Sequence, residues 1–352
     1  MKNKNLVGIV RSLCDKKVSK VMVIGNYGDG NIGDEAMLRV IIGDLLSLGI
    51  TNIVVPSRNP KKLGEIHPGL IKPISFKSFI KEFISTDLII IGSGTLFSVN
   101  SSIFIYLIAL LPILAKVFGK KTIYYAIGFS ILTNKSVKLV GKLSFYFSDI
   151  ISVRDKISLQ NIKNLRINKK IYLSKDPALR LKPSNKFVNK ILKKEGINKN
   201  KFLIGISLNH TVDKKINCLL TKEFTKVIDW LVETYDAEIV FFTFDPAFTH
   251  KNPDNKIAFT IKSNLKNKDA FKIINYYSSP EIILGLVGKM NFFIGMRYHS
   301  IMFSYMQGIP LLGIIYEEKN RTLLKDIKRK GVDLFDIDFD NVTQVLKLQI
   351  KI

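Results

Sequence analysis

At 352 residues the chain is too long for one ordinary domain and about right for two, on a prior of roughly 150 residues each. Hydrophobic residues make up 47% of it, which excludes a disordered or collagen-like chain and provides for a sizeable core. Lysine and arginine number 54 against 29 acidic residues, a net charge of +25, so anionic partners are drawn in. The lysines are scattered among asparagine and isoleucine, as in KNKNL, INKNK and LKNKD. No basic stripe interleaves with aromatics, so no nucleic-acid partner is expected. Cys14 and Cys218 are far apart and lack CxxC spacing, which predicts neither a disulfide framework nor a zinc site and fits a reducing cytosol.

Residues Met1 to Leu13 lack a continuous apolar stretch and a small-residue cleavage site, so no signal peptide is expected. Lys20–Gly25 reads as a buried strand, followed by a glycine-rich turn and a helix over Glu35–Gly49. Asn52–Ser57 and Asp87–Gly94 are the next strands, the latter ending in glycines. Ser101–Gly119 is apolar enough to raise the question of a membrane span. A spanning helix wants about 20 apolar residues, and this run contains Pro112 and Lys116. A buried helix of an α/β domain is therefore expected ahead of the alternative, a membrane-contacting helix. Lys120–Ser130 and Asp149–Asp155 complete the first half as strands.

In the second half, strands over Lys201–Asn209 and Ala237–Asp245 bracket a helix over Thr221–Tyr235, and strands over Asn291–Arg297 and Pro310–Tyr316 follow. Apolar strands alternating with helices are the mark of a parallel sheet covered on both faces. A polar, lysine-rich stretch over Lys182–Asn200 marks the domain boundary. The expected fold is thus α/β, with two Rossmann-like doubly wound domains, 1–182 and 183–352, facing a cleft. Ligands of such sheets sit beyond the carboxyl ends of the strands.

Four segments lie at such ends. Gly25–Glu35 (GNYGDGNIGDE) joins glycines that let the backbone turn tightly to a helix N-terminus that offers free N–H groups. Asn31 and Asp34 can cap that helix or grip a ligand hydroxyl. The segment is neither GxGxxG in register nor a P-loop with its lysine, and spacing alone leaves a structural turn and a ligand loop both open. Gly295–Ser300 places Arg297 and His299 where a strand gives way to a helix. There a guanidinium can hold an anion beside an imidazole able to deliver a proton. Lys319 follows the last strand in a run of charges that is otherwise ordinary solvated surface. Arg154, in Ser152–Asp155, reads equally as an anion ligand or as half of a surface pair with aspartate.

Taken together, GNYGDGNIGDEAML, ISVRDKIS, KDPALRL and FFIGMRYHSIMFSYMQGIPLLGIIYEEK resemble the polysaccharide pyruvyltransferase family, from about Val21 to about Lys319. Met-Arg-x-His between a strand and a helix, then Gly-x-Pro, a second strand and a lysine is the most specific part. The resemblance implies a GT-B-like two-domain fold and phosphoenolpyruvate as donor substrate. It implies no metal or nucleotide cofactor. By position it gives Arg154, Arg297 and Lys319 the donor's phosphate and carboxylate, and makes His299 the general acid. Asn31 and Asp34 are placed toward the acceptor sugar, from the N-terminal domain. The acceptor would belong to a cell-surface polysaccharide or a lipid-linked precursor. A cytoplasmic enzyme is expected, with peripheral contact at the inner membrane surface left open.

The chain departs from the family's usual pattern at Gly92-Ser93-Gly94, at Phe129-Ser130 and at Asn209, all at strand ends, which bears on acceptor identity. Two other readings compete. One is a glycosyltransferase using a nucleotide sugar, for which Glu281 could bind a ribose. The other is a non-catalytic membrane-associated scaffold of polysaccharide assembly.

Overall fold

A computed structural model describes residues 5–13, 18–92, 94–97, 103–130, 134–211, 213–245, 254–274 and 279–350. Cys14, Ser93 and the start of the Ser101–Gly119 run lie outside the described residues. The chain divides into two compact units, one of Met1–Asp29 with Asp34–Leu181, the other of Gly30–Gly33 with Lys182–Ile352.

The first unit is built on strands β1 (Lys20–Ile24), β2 (Asn52–Pro56), β3 (Lys72–Ile74), β4 (Leu88–Ile91), β5 (Thr95–Phe97), β6 (Lys121–Phe129), β7 (Ile150–Val153) and β8 (Ile171–Leu173). They form an eight-stranded sheet in the order β3-β2-β1-β4-β6-β7-β8, with β5 beside β6. The pairings are parallel, as in β1 with β4 and β6 with β7. Its helices are α1 (Leu6–Leu13), α2 (Ile32–Ser47), α3 (Pro60–Ile66), α4 (Phe79–Ile84), α5 (Ile103–Val117), α6 (Lys135–Phe147) and α7 (Lys156–Lys163).

Two apolar layers sandwich this sheet. One gathers Val21, Val23, Ile53 and Ile90 under Leu38, Ile41 and Leu45 of α2. The other gathers Met22, Ile24, Ile89 and Ile151 under Ala109 of α5, Phe145 of α6 and Ile162 of α7. Alternate residues of one strand thus enter opposite layers, which explains why these strands are apolar throughout. Within β6, Ala126 has a positive φ of 49° and the register with β7 shifts between Tyr124 and Ile127. The Ala126 N–H at this bulge donates to Ser152 Oγ instead, at 2.9 Å.

The second unit carries a six-stranded parallel sheet in the order β11-β10-β9-β12-β13-β14. Its strands are β9 (Leu203–Ser207), β10 (Glu238–Phe242), β11 (Phe271–Ile274), β12 (Phe292–Gly295), β13 (Leu311–Ile315) and β14 (Gly331–Asp333). Its helices are α8 (Val188–Lys194), α9 (Lys214–Tyr235), α10 (Asp254–Asn264), α11 (Pro280–Val287), α12 (Tyr298–Met306), α13 (Glu318–Asp326) and α14 (Phe339–Gln349). Phe224, Val227 and Leu231 of α9 pack with Ile204, Phe241 and Ile294 of the sheet.

The Ser101–Gly119 run departs from the buried helix expected of it. Its helix α5 is buried on one face only. Ile108, Ala109 and Ala115 enter the core, whereas Leu107, Leu110, Leu114 and Val117 are exposed. Among the described residues, no helix is long and apolar enough to cross a membrane.

Candidate functional site

In the first unit, the ends of β1, β4 and β7 assemble a polar cluster. The chain leaving β1 turns at Gly28 and Gly30, with φ of 86° and 88°, a left-handed backbone that favours glycine. Glu35, buried in the first turn of α2, fastens this turn. Its Oε1 accepts from the Gly28 N–H at 2.6 Å and its Oε2 lies 2.8 Å from Nε2 of buried His67. Asp34, one residue earlier, accepts from the Gly94 N–H at 3.1 Å, tying the α2 terminus to the loop after β4.

Arg154 projects from the end of β7 into the same cluster and is buried rather than a surface residue. Its Nη1 lies 3.3 Å from Asp176 and its Nε 3.5 Å from Asp155. A Cβ placed on Gly94 would fall 3.2 Å from Asp34 Oδ1 and 3.9 Å from Arg154 Nη1, so both side chains border that glycine. Nearby, burial pushes the Tyr27 hydroxyl well above its usual pKa, with the charges of Asp34, Glu35 and Asp176 acting the same way. The buried Tyr27 oxygen has no hydrogen-bond partner among the described residues.

In the second unit, Arg297 and His299 stand where β12 meets α12. Arg297 is the residue before the helix, and His299 is in its first turn. The Arg297 guanidinium is held by two aspartates. Its Nε and Nη2 donate to Asp254 at 3.0 and 2.6 Å, and its Nη2 lies 3.3 Å from Asp245. Burial opposes the charge on Arg297, but Asp254 and Asp245 outweigh it and raise its pKa. For Asp254 itself, burial wins over the attraction of Arg297 and the carboxyl is raised. Asn320 supports the turn from α13 by donating to the Met296 carbonyl at 2.7 Å.

His299 is buried. Its ring meets Tyr298 edge to face at 5.2 Å and lies directly against Gly33, where a Cβ would fall only 1.8 Å from Nδ1. Gly33 and Asn31 both belong to the short segment that groups with this unit. Asn31 accepts from the Gly33 N–H at 3.1 Å, as a cap of α2, and its amide reaches toward Asp245 at 3.5 Å. Lys319, in the first turn of α13, pairs with Glu317 at 2.6 Å and lies 5.6 Å from the Tyr316 ring centre. Burial raises the Tyr316 hydroxyl, and charges on Lys319, Glu317, Arg297 and Asp254 all act on it. Tyr316 therefore links the surroundings of Arg297 and Lys319.

The structure thus gathers Arg154 and Asp34 in one cluster, and Arg297, His299, Lys319 and Asn31 in another. Asn31 and Asp34, paired by the sequence reading, fall in different units. The reading missed Asp176, Asp245, Asp254, Tyr316 and Asn320. Asp245 and Tyr316 closed predicted strands and could have been found by the strand-end rule. Asp254 sits in a polar run with no pattern to mark it.

Solved structures of the same fold include UDP-GlcNAc 2-epimerase from Methanocaldococcus jannaschii, 13% identical, with a TM-score of 0.64 over 95% of this chain and 93% of that one. Another is E. coli ADP-heptose lps heptosyltransferase II, 13% identical, with a TM-score of 0.54 over 94% and 98%. A third is a glycosyltransferase from Rickettsia africae ESF-5, 14% identical, with a TM-score of 0.59 over 95% and 88%. At that identity they establish the fold, GT-B-like with two parallel-sheet α/β domains, and nothing about substrate. No curated protein matches the sequence. The model of the polysaccharide pyruvyl transferase family matches residues 31–318, a span that runs from Asn31 through the Met-Arg-x-His turn to the start of α13. By that match over most of its length, this chain belongs to the polysaccharide pyruvyl transferase family.

Proposed function

We propose that the protein transfers the enolpyruvyl group of phosphoenolpyruvate to a pair of sugar hydroxyls, leaving a cyclic pyruvate ketal and free phosphate. The sugar belongs to a cell-surface polysaccharide or its lipid-linked precursor. The observation that carries this reading is the family match over residues 31–318, which includes Arg297 and His299 side by side at a strand-to-helix turn.

On this reading His299 gives a proton to the methylene carbon C3 of the donor, which makes C2 cationic. A sugar hydroxyl adds to C2 and loses its proton. The bond from C2 to the phosphate oxygen then breaks, and the second hydroxyl closes the ring. Of the two hydroxyl protons, one replaces the proton that His299 gave and the other leaves with the phosphate. An imidazole suits the first transfer, and fixed positive charge suits the departing phosphate. Arg297 is braced by Asp254 and Asp245 through Nε and Nη2, so its remaining edge is presented in a fixed orientation to an anion. Lys319 adds a second positive charge, paired with Glu317. Arg154 takes its donor role from the family motif rather than from proximity, and Asn31 and Asp34 are assigned to the acceptor sugar.

The test is phosphate release from phosphoenolpyruvate by purified protein, with a panel of N-acetylhexosamine and galactose acceptors, beside His299→Ala. Acceptor-dependent release that collapses in the variant is the expected result. No release with any acceptor, together with no binding of phosphoenolpyruvate, would overturn the reading and favour a nucleotide-sugar glycosyltransferase.

A further inference from the structure

The first unit has a face that its own core does not use. On α5, Leu107, Leu110, Leu114 and Val117 follow the three- and four-residue steps of a helix, so at ~100° per residue they share an arc of about 80°. That arc points away from the core-facing Ile108, Ala109 and Ala115, and Leu107 and Val117 are 57% and 77% exposed. Helix α6 packs alongside α5, joined to it by a hydrogen bond of 3.0 Å between the Tyr106 and Ser136 hydroxyls. It repeats the arrangement. Leu139 and Tyr146, 59% and 61% exposed, flank Leu143 on its outer face. At the other side Phe118 stacks edge to face on Phe83 of α4, and α4 exposes Ile80 and Ile84. The outward side chains of α5 and α6 therefore lie on adjoining helices, and Phe118 joins the end of α5 to α4. A contiguous exposed patch of this kind marks an interaction surface.

Charge selects the occupant. Lys135, Lys138 and Lys142 lie on the outer face of α6 beside Leu139 and Tyr146. Neither α5 nor α6 contains an acidic residue. A second copy of the chain would bring one lysine row against another with no carboxylate between them, which costs rather than stabilises. An anionic lipid surface supplies both needs, acyl chains for the leucines and phosphates for the lysines, with tyrosine at the boundary. Fifteen residues of α5 span only about 22 Å at 1.5 Å each, short of a ~30 Å hydrocarbon core. The helix can lie in the interface but not cross it.

We infer that the outer face of α4, α5 and α6 docks the protein on an anionic phospholipid bilayer. The inference goes beyond the transfer chemistry and does not depend on it. The experiment is co-sedimentation of the full chain with vesicles of phosphatidylcholine alone or mixed equally with phosphatidylglycerol. Binding to the mixed vesicles should be at least about tenfold tighter, as expected for several lysines near an anionic surface. Lys135→Glu/Lys138→Glu/Lys142→Glu should abolish that preference. Leu110→Gln/Leu139→Gln/Leu143→Gln should weaken binding at every salt concentration. Because these side chains are exposed, both variants should keep the wild-type melting temperature. Lys190→Glu/Lys193→Glu/Lys289→Glu makes the same charge change on exposed lysines of the second unit and should leave binding unaltered. Three results would overturn the inference: no binding by the wild type, equal loss in the second-unit variant, or a lipid-free dimer that the leucine substitutions dissociate.

Discussion

Arg154 and Arg297 occupy the same place in two different sheets, each just past the carboxyl end of a parallel strand and each between two aspartates. Their restraint differs. Arg297 meets fully buried Asp254 through two nitrogens at 3.0 and 2.6 Å, with Asp245 behind it. Arg154 Nη1 lies 3.3 Å from Asp176 and its Nε 3.5 Å from Asp155. On both sides the carboxylates also accept backbone N–H groups, Asp155 from Ser158 and Asp176 from Ala178, and Asp254 from His210 and Asp245. A bidentate pair fixes orientation as well as charge. Asp254 thus fixes the orientation of the Arg297 guanidinium, whereas the Arg154 contacts with Asp176 and Asp155 are longer. Position in the fold is shared, and the carboxylate geometry around the two arginines differs.

Substitutions can break or sharpen this contrast. The largest effect belongs to His299→Ala, expected to lower kcat by about a hundredfold to ten-thousandfold in a phosphate-release assay, with the fold unchanged by circular dichroism. A drop of only a few-fold would remove His299 from the chemistry. Asp254→Ala leaves a buried guanidinium without its main partner and should cost about 3–5 kcal/mol in urea unfolding. Asp176→Ala breaks a longer contact and a cap, and should cost about 1–2 kcal/mol. Equal costs at the two sites would erase the distinction drawn between the arginines.

Gly33→Ala comes next. Its methyl group has no room beside His299 Nδ1, at 1.8 Å, so the imidazole must move. A displacement of that size should lower kcat by roughly a hundredfold or less, with the KM for phosphoenolpyruvate little changed. Unaltered kcat would mean that the ring position does not matter. The smallest effect lies far from either arginine. Hydrogen bonds from Lys20, and then Lys72, lower the Glu82 carboxyl from 4.5 to about 2. Because the folded-state value is depressed, this stabilisation is present above about pH 4.5 and is lost as pH falls toward 2. Glu82→Gln should lower the melting temperature slightly at pH 7, by an amount that shrinks on acidification. A constant difference across that range would contradict the assignment.

The central strands were legible because both their faces are buried, so β1, β4, β9, β10, β12 and β13 stand out as unbroken apolar runs. The edge strands were not. β3, β8 and β14 have only three residues each, too few to carry a period. Helix α9 begins at Lys214, two turns before the predicted start, because Asp213 caps it ahead of the amphipathic part. The site divides in the same way. Arg297 and His299 were visible as reactive residue types at a strand end, and Lys319 only through the family resemblance. Asp254 was not, because its meaning lies in a contact with a residue 43 positions away, which no local pattern encodes. The outer stripe of α5 was hidden for the opposite reason. A helix apolar all round looks buried in sequence, and only its packing shows that half of it faces outward.

In the proposed transfer, carbon from phosphoenolpyruvate ends in a sugar ketal. The most direct measurement supplies phosphoenolpyruvate labelled in its three carbons, together with acceptor sugars, and follows the label by mass spectrometry. Ketal transfer gives a labelled, acid-labile adduct on the acceptor with one inorganic phosphate released per adduct, both formed at least about a hundredfold more slowly with His299→Ala. Labelled phosphoenolpyruvate recovered intact, with a glycosyl group gained by the acceptor from a nucleotide sugar instead, would contradict it.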